Sequence, residues 1–470
     1  MRKSYFLLFL VALVLRLGFL ALRWGALPDW NIDALGYHQL ALNLLHERAF
    51  SMHTQSPFLP DSIRTPGYPL FLAAVYALPG TSPRTVLVIQ AMLDALTAVL
   101  AADMARRLTG FRKAGLLAGL LYALLPLAWR YAAELYVESF LTFWLALSFW
   151  LALWIVQREA GHPWLRGAFL GAAAGMSLLI KPNVVLLPLL LALPLLAHRR
   201  GRPLLAAAAM MLLMLAPWVA RNAVVFGQPT LSTAFMENLA RVSGPATLAR
   251  AQGEVIAPWT PRWEAYYFQI VDMAAREHPD LFAVSEAKLT PRQAAARQAA
   301  LADAARAVIR AHPTAFLLSH LAGSAQAWWL PLEQRFWYGW ATGENWEATF
   351  PDGLLHALRV RGPGQGTWPA AALFFLFLAW NFIRIVFALA GAAFLFPADG
   401  AYVLAAVLFI LYVTFLPGPI AYDRFHLPAM PLLQVFMAAG LAALWSWGRR
   451  ILGPGQAVGD PASSSASHAR

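Results

Sequence analysis

The chain has 470 residues, 60% of them hydrophobic and only 13% charged, with a formal charge of +12 and no cysteine. Soluble domains run nearer to about a quarter charged, and several apolar runs here reach the ~20 residues that cross about 30 Å of hydrocarbon, so the composition is that of a polytopic membrane protein. Disulfides, thiolate metal sites and a cysteine nucleophile are excluded, and the basic surplus sits mostly in short loops between apolar helices, where it holds orientation rather than nucleic acid.

The predicted elements follow in order. A first span covers 5–24, behind Arg2 and Lys3. Its apolar run is too long for a signal peptide and lacks a small-residue cleavage site, so it reads as uncleaved. The stretch 28–70 is polar and carries two phrases, Asp33-Ala-Leu-Gly-Tyr37-His38 and Arg64-Thr-Pro-Gly-Tyr68. The amphipathic segment 37–47 and the short apolar segment 67–79 read as interfacial helices. Spans are expected at 85–105, 114–129, 140–156, 165–180, 184–197 and 204–226. The segment 227–312 is mostly polar, with an amphipathic helix over 291–310. An apolar stretch at 314–330 carries His320, Ser324 and Gln326, and a Trp- and Gly-rich loop runs on to Trp368. Final spans are expected at 370–396, 401–416 and 428–447. The expected class is all-α, with about ten to twelve transmembrane helices. Four regions are expected: a transmembrane core 1–226 holding a catalytic first outer loop 25–84, an extracytoplasmic acceptor-side segment 227–368, C-terminal helices 369–452, and a disordered tail 453–470.

With ten spans, Arg2, Lys3, Arg106, Arg107, Arg112, Lys113, Arg158, Arg166, Arg199, Arg200, Arg202, Arg449 and Arg450 all fall on one side, taken as cytoplasmic. The short outer loops hold only Arg130, Lys181 and Arg424. Asp33, Arg64, Glu138, Lys181, Arg221 and Arg424 then share the outer side. Arg16 and Asp94 both lie about 18–20 Å deep at 1.5 Å per residue. A buried charge is costly unless paired, so a structural Arg16–Asp94 bridge is expected, with a proton relay as the other reading. Arg384 is also deep, with Asn381 beside it.

Asp33 can cap a helix beginning near Leu35 or act as a general base on an acceptor. Arg64 can snorkel to the interface or present a guanidinium fork to phosphate. Glu134 and Glu138 are four apart, on one face if helical. They suit capping, a second acid–base site or half a metal site. His38, His46, His53 and His426 share that side, but no metal-ligand spacing links them, so no metal or other cofactor is expected. Lys181, Arg221 and Arg424 are each ordinary anchors. Together they suit an anionic lipid headgroup.

The pattern Asp33…Tyr37-His38, then Arg64-Thr-Pro-Gly-Tyr68-Pro-Leu, resembles the first outer loop of bacterial relatives of the dolichyl-phosphate-mannose protein mannosyltransferases. These are GT-C membrane glycosyltransferases, a group that includes the lipid A aminoarabinose transferases. Gln90-Ala-x-Leu-Asp94, Leu135-Tyr-Val-Glu138-Ser, Ile180-Lys-Pro-Asn, Ala216-Pro-Trp-x-x-Arg221-Asn and Arg424-Phe-His-Leu-Pro add to it. The resemblance implies a GT-C fold and a donor sugar on undecaprenyl phosphate. It also implies an outer-face site in a bacterial inner membrane, and an essential first-loop acid, here Asp33. Arg64 falls where the aminoarabinose branch has a lysine near the donor phosphate, and Glu138 matches a second-loop acid. That branch reads Asp-Glu-x-Arg-Tyr where this chain reads Asp33-Ala-Leu-Gly-Tyr37. Arg221, Arg424 and Lys181 are expected to assist Arg64 at the phosphate. Tyr37, His38 and Tyr68 are expected to line the sugar and acceptor pocket. The acceptor is a lipid, glycan or protein. A polymerase or ligase of lipid-linked oligosaccharides and a transporter of lipid-linked sugar are the alternatives.

Overall fold

A computed structural model describes residues 2–451 apart from 159–160, 286–287, 330–336, 340–341, 343–366 and 421. The expected tail at 453–470 and most of the Trp- and Gly-rich loop lie outside the described residues. The described residues are helical and form no strand. The first ten helices are α1 (Arg2–Leu22), α2 (Ile32–His46), α3 (Gly67–Tyr76), α4 (Pro83–Thr109), α5 (Arg112–Ala123), α6 (Pro126–Ala132), α7 (Val137–Gln157), α8 (Pro163–Ile180), α9 (Leu187–Ala197) and α10 (Gly201–Phe226). Then come α11 (Ala234–Asn238), α12 (Gly244–Ala251), α13 (Pro261–Glu277), α14 (Pro279–Phe282), α15 (Pro291–Ala311) and α16 (Pro313–Trp329). The chain closes with α17 (Thr367–Phe415) and α18 (Met430–Ile451).

Among the described residues seven helices are long and apolar enough to cross a membrane, or eight if the bent pair α5–α6 is one span. The differences from the expected windows have local causes. Instead of one straight span over 114–129, α5 and α6 meet at 55°. Pro126 has no N–H to continue the ladder and its ring clashes with the turn before it. The helix α9 keeps only 11 residues, because Lys181-Pro182 ends α8 and a short 3-10 turn follows. The 49-residue α17 is interrupted at Asp399, whose φ of −154° and ψ of 75° are not helical. That break separates the two spans expected at 370–396 and 401–416. At 10 residues, α3 is about 15 Å long, too short to cross.

The core packs α4 against α1, α5 and α7, and α7 against α8. The pair α17–α18 closes by backbone approach: a Cβ on Gly391 would lie 1.8 Å from the Phe436 carbonyl oxygen. Small residues permit this where apolar burial cannot drive helices together. The Arg16–Asp94 bridge is present at 2.5 Å, with both side chains inaccessible. The bend at α5 completes it. The Ala123 carbonyl, left without a helical donor, accepts Arg16 Nη1 at 3.0 Å, and the Tyr122 hydroxyl donates to Asp94 at 2.6 Å.

Helices α11 to α15 lie between the two groups of spans in sequence and carry a small core of their own around Ile270, Ala274, Leu301 and Val308. The predicted 291–310 helix is α15, started by a capping box between Thr290 and Gln293.

Candidate active site

The chain meets itself at one end of the bundle. Asn31 caps α2, its side chain accepting from the Ala34 N–H at 3.0 Å. Asp33 is therefore the second helical residue rather than the cap, and its carboxylate is left for other partners. Asp33 Oδ2 accepts from Arg424 Nη1 at 2.7 Å, and Oδ1 faces Arg64 Nη2 at 3.4 Å. Glu138, in the first turn of α7, accepts from Lys181 Nζ at 2.8 Å. Lys181 precedes a proline, which forces it extended (φ −151°, ψ 107°) and ends α8 where the ammonium can reach across. Burial alone would raise the Asp33 carboxyl. The attraction of Arg424, then its hydrogen bond, then Arg64 and Lys181 outweigh that and hold it below the ordinary carboxylate value.

Arg64 is placed by its neighbours on both sides. Behind it, the Thr65 hydroxyl donates to the Ile180 carbonyl at 3.0 Å. Gly67 lies so close to α8 that a Cβ would sit 2.7 Å from the Leu179 carbonyl oxygen. Ahead of it, Gly36 leaves room for the guanidinium: a Cβ there would lie 2.8 Å from Arg64 Nη2. The Tyr37 ring stands 5.2 Å from the guanidinium, and Met52 Sδ accepts from Nη1 at 2.8 Å. Arg424 lies 5.2 Å from the Tyr136 ring and 5.0 Å from that of Phe425. Lys181 stands 4.9 Å over Phe425.

The structure thus brings together Asp33, Arg64, Glu138, Lys181, Arg424 and Tyr37. Two carboxylates face three cations, one positive charge in excess. The second oxygen of Glu138 is buried and has no hydrogen-bond partner.

Other expected site residues do different work. Arg221 donates to the Asp61 carbonyl at 3.1 Å, and the Asp61 carboxylate accepts the Arg64 N–H at 2.7 Å. Arg221 therefore braces the loop that carries Arg64. His38 bonds the Tyr76 hydroxyl at 3.0 Å and ties α2 to α3. Tyr68 is fully buried and donates to Gln90 at 2.6 Å, a core role rather than a pocket wall. Glu134 and Glu138 do not share a helical face, because α6 ends at Ala132 and α7 starts at Val137. Glu134 instead faces Arg130 at 3.4 Å and Arg23 at 4.0 Å, and burial pushes its carboxyl up to about 7 against those two cations. Among the described residues no group of three or more His, Asp or Glu is arranged to hold a metal. Tyr136 and Phe425, unanticipated as site walls, sit inside the 135–139 and 424–428 motifs. Nothing in the local sequence marks Met52.

Residues 63–220 match the family described as Dolichyl-phosphate-mannose-protein mannosyltransferase. A comparison with curated proteins finds no match. Among solved structures, the fold resembles the archaeal oligosaccharyltransferase AglB from Archaeoglobus fulgidus in complex with an inhibitory peptide and a dolichol-phosphate. The TM-score is 0.48 at 14% identity, over 94% of this chain and 50% of that one. It also resembles ArnT from Cupriavidus metallidurans bound to undecaprenyl phosphate, with a TM-score of 0.39 at 16% identity, over 94% and 79%. The chain spans about half the length of the archaeal enzyme. The matched stretch contains Arg64, Glu138 and Lys181 but neither Asp33 nor Arg424, and over that stretch the chain is similar to the dolichyl-phosphate-mannose-protein mannosyltransferase family.

Proposed function

We propose that the protein is an inverting glycosyltransferase that moves a sugar from a polyprenyl-phosphate carrier, of undecaprenyl type, to a lipid, glycan or protein acceptor. In this reading the site faces the extracytoplasmic side of a bacterial inner membrane. The observation that carries this reading is the Asp33 carboxylate held between Arg64 and Arg424, beside the Glu138–Lys181 pair. The single excess positive charge matches the one negative charge of a phosphodiester.

As the sugar–oxygen bond breaks, negative charge grows on the departing carrier phosphate. Arg64, Arg424 and Lys181 are the donors that would stabilise it, fixed in place before reaction begins. Asp33 would orient the acceptor hydroxyl or amine and take its proton. Attack from the side opposite the phosphate inverts the anomeric centre. Three cations already stand where a metal would otherwise neutralise phosphate, and we propose metal-independent transfer. The segment 227–368 is assigned to acceptor choice.

The test is turnover of a panel of radiolabelled undecaprenyl-phosphate sugars by purified protein with a membrane extract, with and without EDTA. Asp33→Asn is expected to lower transfer by about 10²–10⁴-fold, the usual range for a lost general base, and EDTA to leave the parent unchanged. Full transfer by Asp33→Asn would remove the base assignment.

A further inference from the structure

At the opposite end of the bundle a second charged feature has no part in this chemistry. The end is fixed by α7. Glu138 opens that helix and Arg158 follows its last residue, so about 30 Å separates them at 1.5 Å per residue. There a cavity of about 370 Å³ is walled by Arg158, Arg166, Arg199, Arg200 and Arg202, with Ile155 beside them. Among the described residues its lining carries no acidic side chain; Glu159 lies outside them. The N-termini of α8 and α10, beginning at Pro163 and Gly201, open at the same place, adding the positive ends of two long helix dipoles.

Two of the arginines build the walls. Arg200 Nη2 donates to the Val156 carbonyl at 2.9 Å. Arg166 Nη1 donates to the Arg158 carbonyl at 3.5 Å, and its guanidinium stands 4.6 Å over the Trp154 ring. Arg199 is held differently. The helix α9 ends in a paired turn, with the Arg200 N–H on the Leu195 carbonyl at 2.7 Å and the Arg199 N–H on the Leu196 carbonyl at 3.0 Å. That turn needs a left-handed residue at Arg199, whose φ is +54°. Glycine normally fills this position at no steric cost. The chain carries a cation there instead, on the wall of a cavity already ringed with them.

We propose that this cavity binds a phosphate-bearing anion, either the headgroup of an anionic phospholipid or a free phosphate compound. A phosphate seated in that concavity can accept several guanidinium donors at once, those of Arg158, Arg199 and Arg202 among them. Basic pockets between helix ends at the cytoplasmic side are suited to lipid headgroups. The basic-residue distribution assigns this end to that side. Trp164, exposed and next in sequence to the lining residue Pro163, is the kind of side chain that sits at headgroup level.

The test follows thermal unfolding of the full chain in neutral detergent by tryptophan fluorescence, titrated with diphosphatidylglycerol, with phosphatidylcholine, or with inorganic pyrophosphate. The parent is expected to show a saturable rise in melting temperature with diphosphatidylglycerol and none with phosphatidylcholine. The triple variant R158Q/R199Q/R202Q is expected to bind at least about tenfold more weakly. The control R112Q/K113Q, which removes charge from the same end outside the cavity, is expected to match the parent. Arg199→Gly separates binding from folding. It relieves the left-handed backbone, so it should melt higher than the parent without ligand yet gain less from it. A response to pyrophosphate alone, lost in the triple variant, would support the site with a free phosphate as its source. An unchanged response in the triple variant, an equal loss in the control, or no response to either anion would overturn the proposal.

Discussion

Gly36 and Gly67 both stand next to Arg64, yet their replacement by alanine should have different consequences. At Gly67 the obstacle is backbone of α8, which cannot step aside. Gly67→Ala is expected to lower the melting temperature, by a penalty of about 1–3 kcal/mol for overpacking. At Gly36 the obstacle is the far end of a flexible side chain. Gly36→Ala should fold like the parent but displace the guanidinium from Asp33, so that turnover falls while the melting curve stays. In the aminoarabinose pattern an arginine stands at the Gly36 position. Here the guanidinium beside that position belongs to Arg64. The charge on Asp33 gives a second test. Arg424 is the strongest of the cations holding that carboxyl down, so Arg424→Gln should raise its pKa. The acid limb of the turnover profile should then move to higher pH than in the parent. The sign is opposite at Glu134. Its folded value of about 7 lies above that of a free carboxyl, so its contribution to stability is full in acid and is lost as pH rises through 7. Glu134→Gln should match the parent near pH 5 and melt higher near pH 8. Asp33 and Glu138 stand in the first turns of helices and Arg64 three residues ahead of one, each inside a recognisable phrase, which is why all three were legible in the sequence. The contact that matters most to Asp33 was not, because Arg424 lies 391 positions away and reads alone as an interfacial anchor.

Among the elements, the Arg16–Asp94 bridge was legible because depth follows from counting residues along two spans, and an unpaired charge at that depth is expensive. What counting could not supply is Tyr122 and the Ala123 carbonyl, which join the bridge only because α5 breaks there. Apolar content measures whether a segment suits hydrocarbon but carries no information about its direction. That is why 114–129 read as one straight span and 184–197 as a full one. Asp94→Asn would leave Arg16 buried without its counter-charge, a loss of about 3–5 kcal/mol, and should be recovered poorly from membranes. Replacing both residues by apolar ones of similar size should restore much of that loss. Equal recovery of the single variant and the parent would show that the bridge is not structural. The helix α15 was legible to within a residue at each end, since a capping box and a polar, alanine-rich repeat are both local signals.

Over the whole molecule, the two charge clusters lie at opposite ends of one bundle, and its orientation rests on the distribution of arginine and lysine. The absence of cysteine from the chain makes this directly measurable. A cysteine at exposed Thr54, in the first loop, should react with a membrane-impermeant maleimide in intact spheroplasts. A cysteine at exposed Lys113 should react only after lysis. The reverse pattern would place the Asp33 site on the other side. The Asp33 cluster has one further consequence, for kinetics. With no donor present its carboxylate is already engaged by two arginines, so an acceptor arriving first finds no free base. A carrier phosphate drawn to those arginines would neutralise them and release the carboxylate, which then becomes more basic. Under the proposed reaction, substrate addition is therefore compulsory-order, donor before acceptor. Acceptor analogues should accordingly inhibit uncompetitively with respect to the lipid-linked sugar.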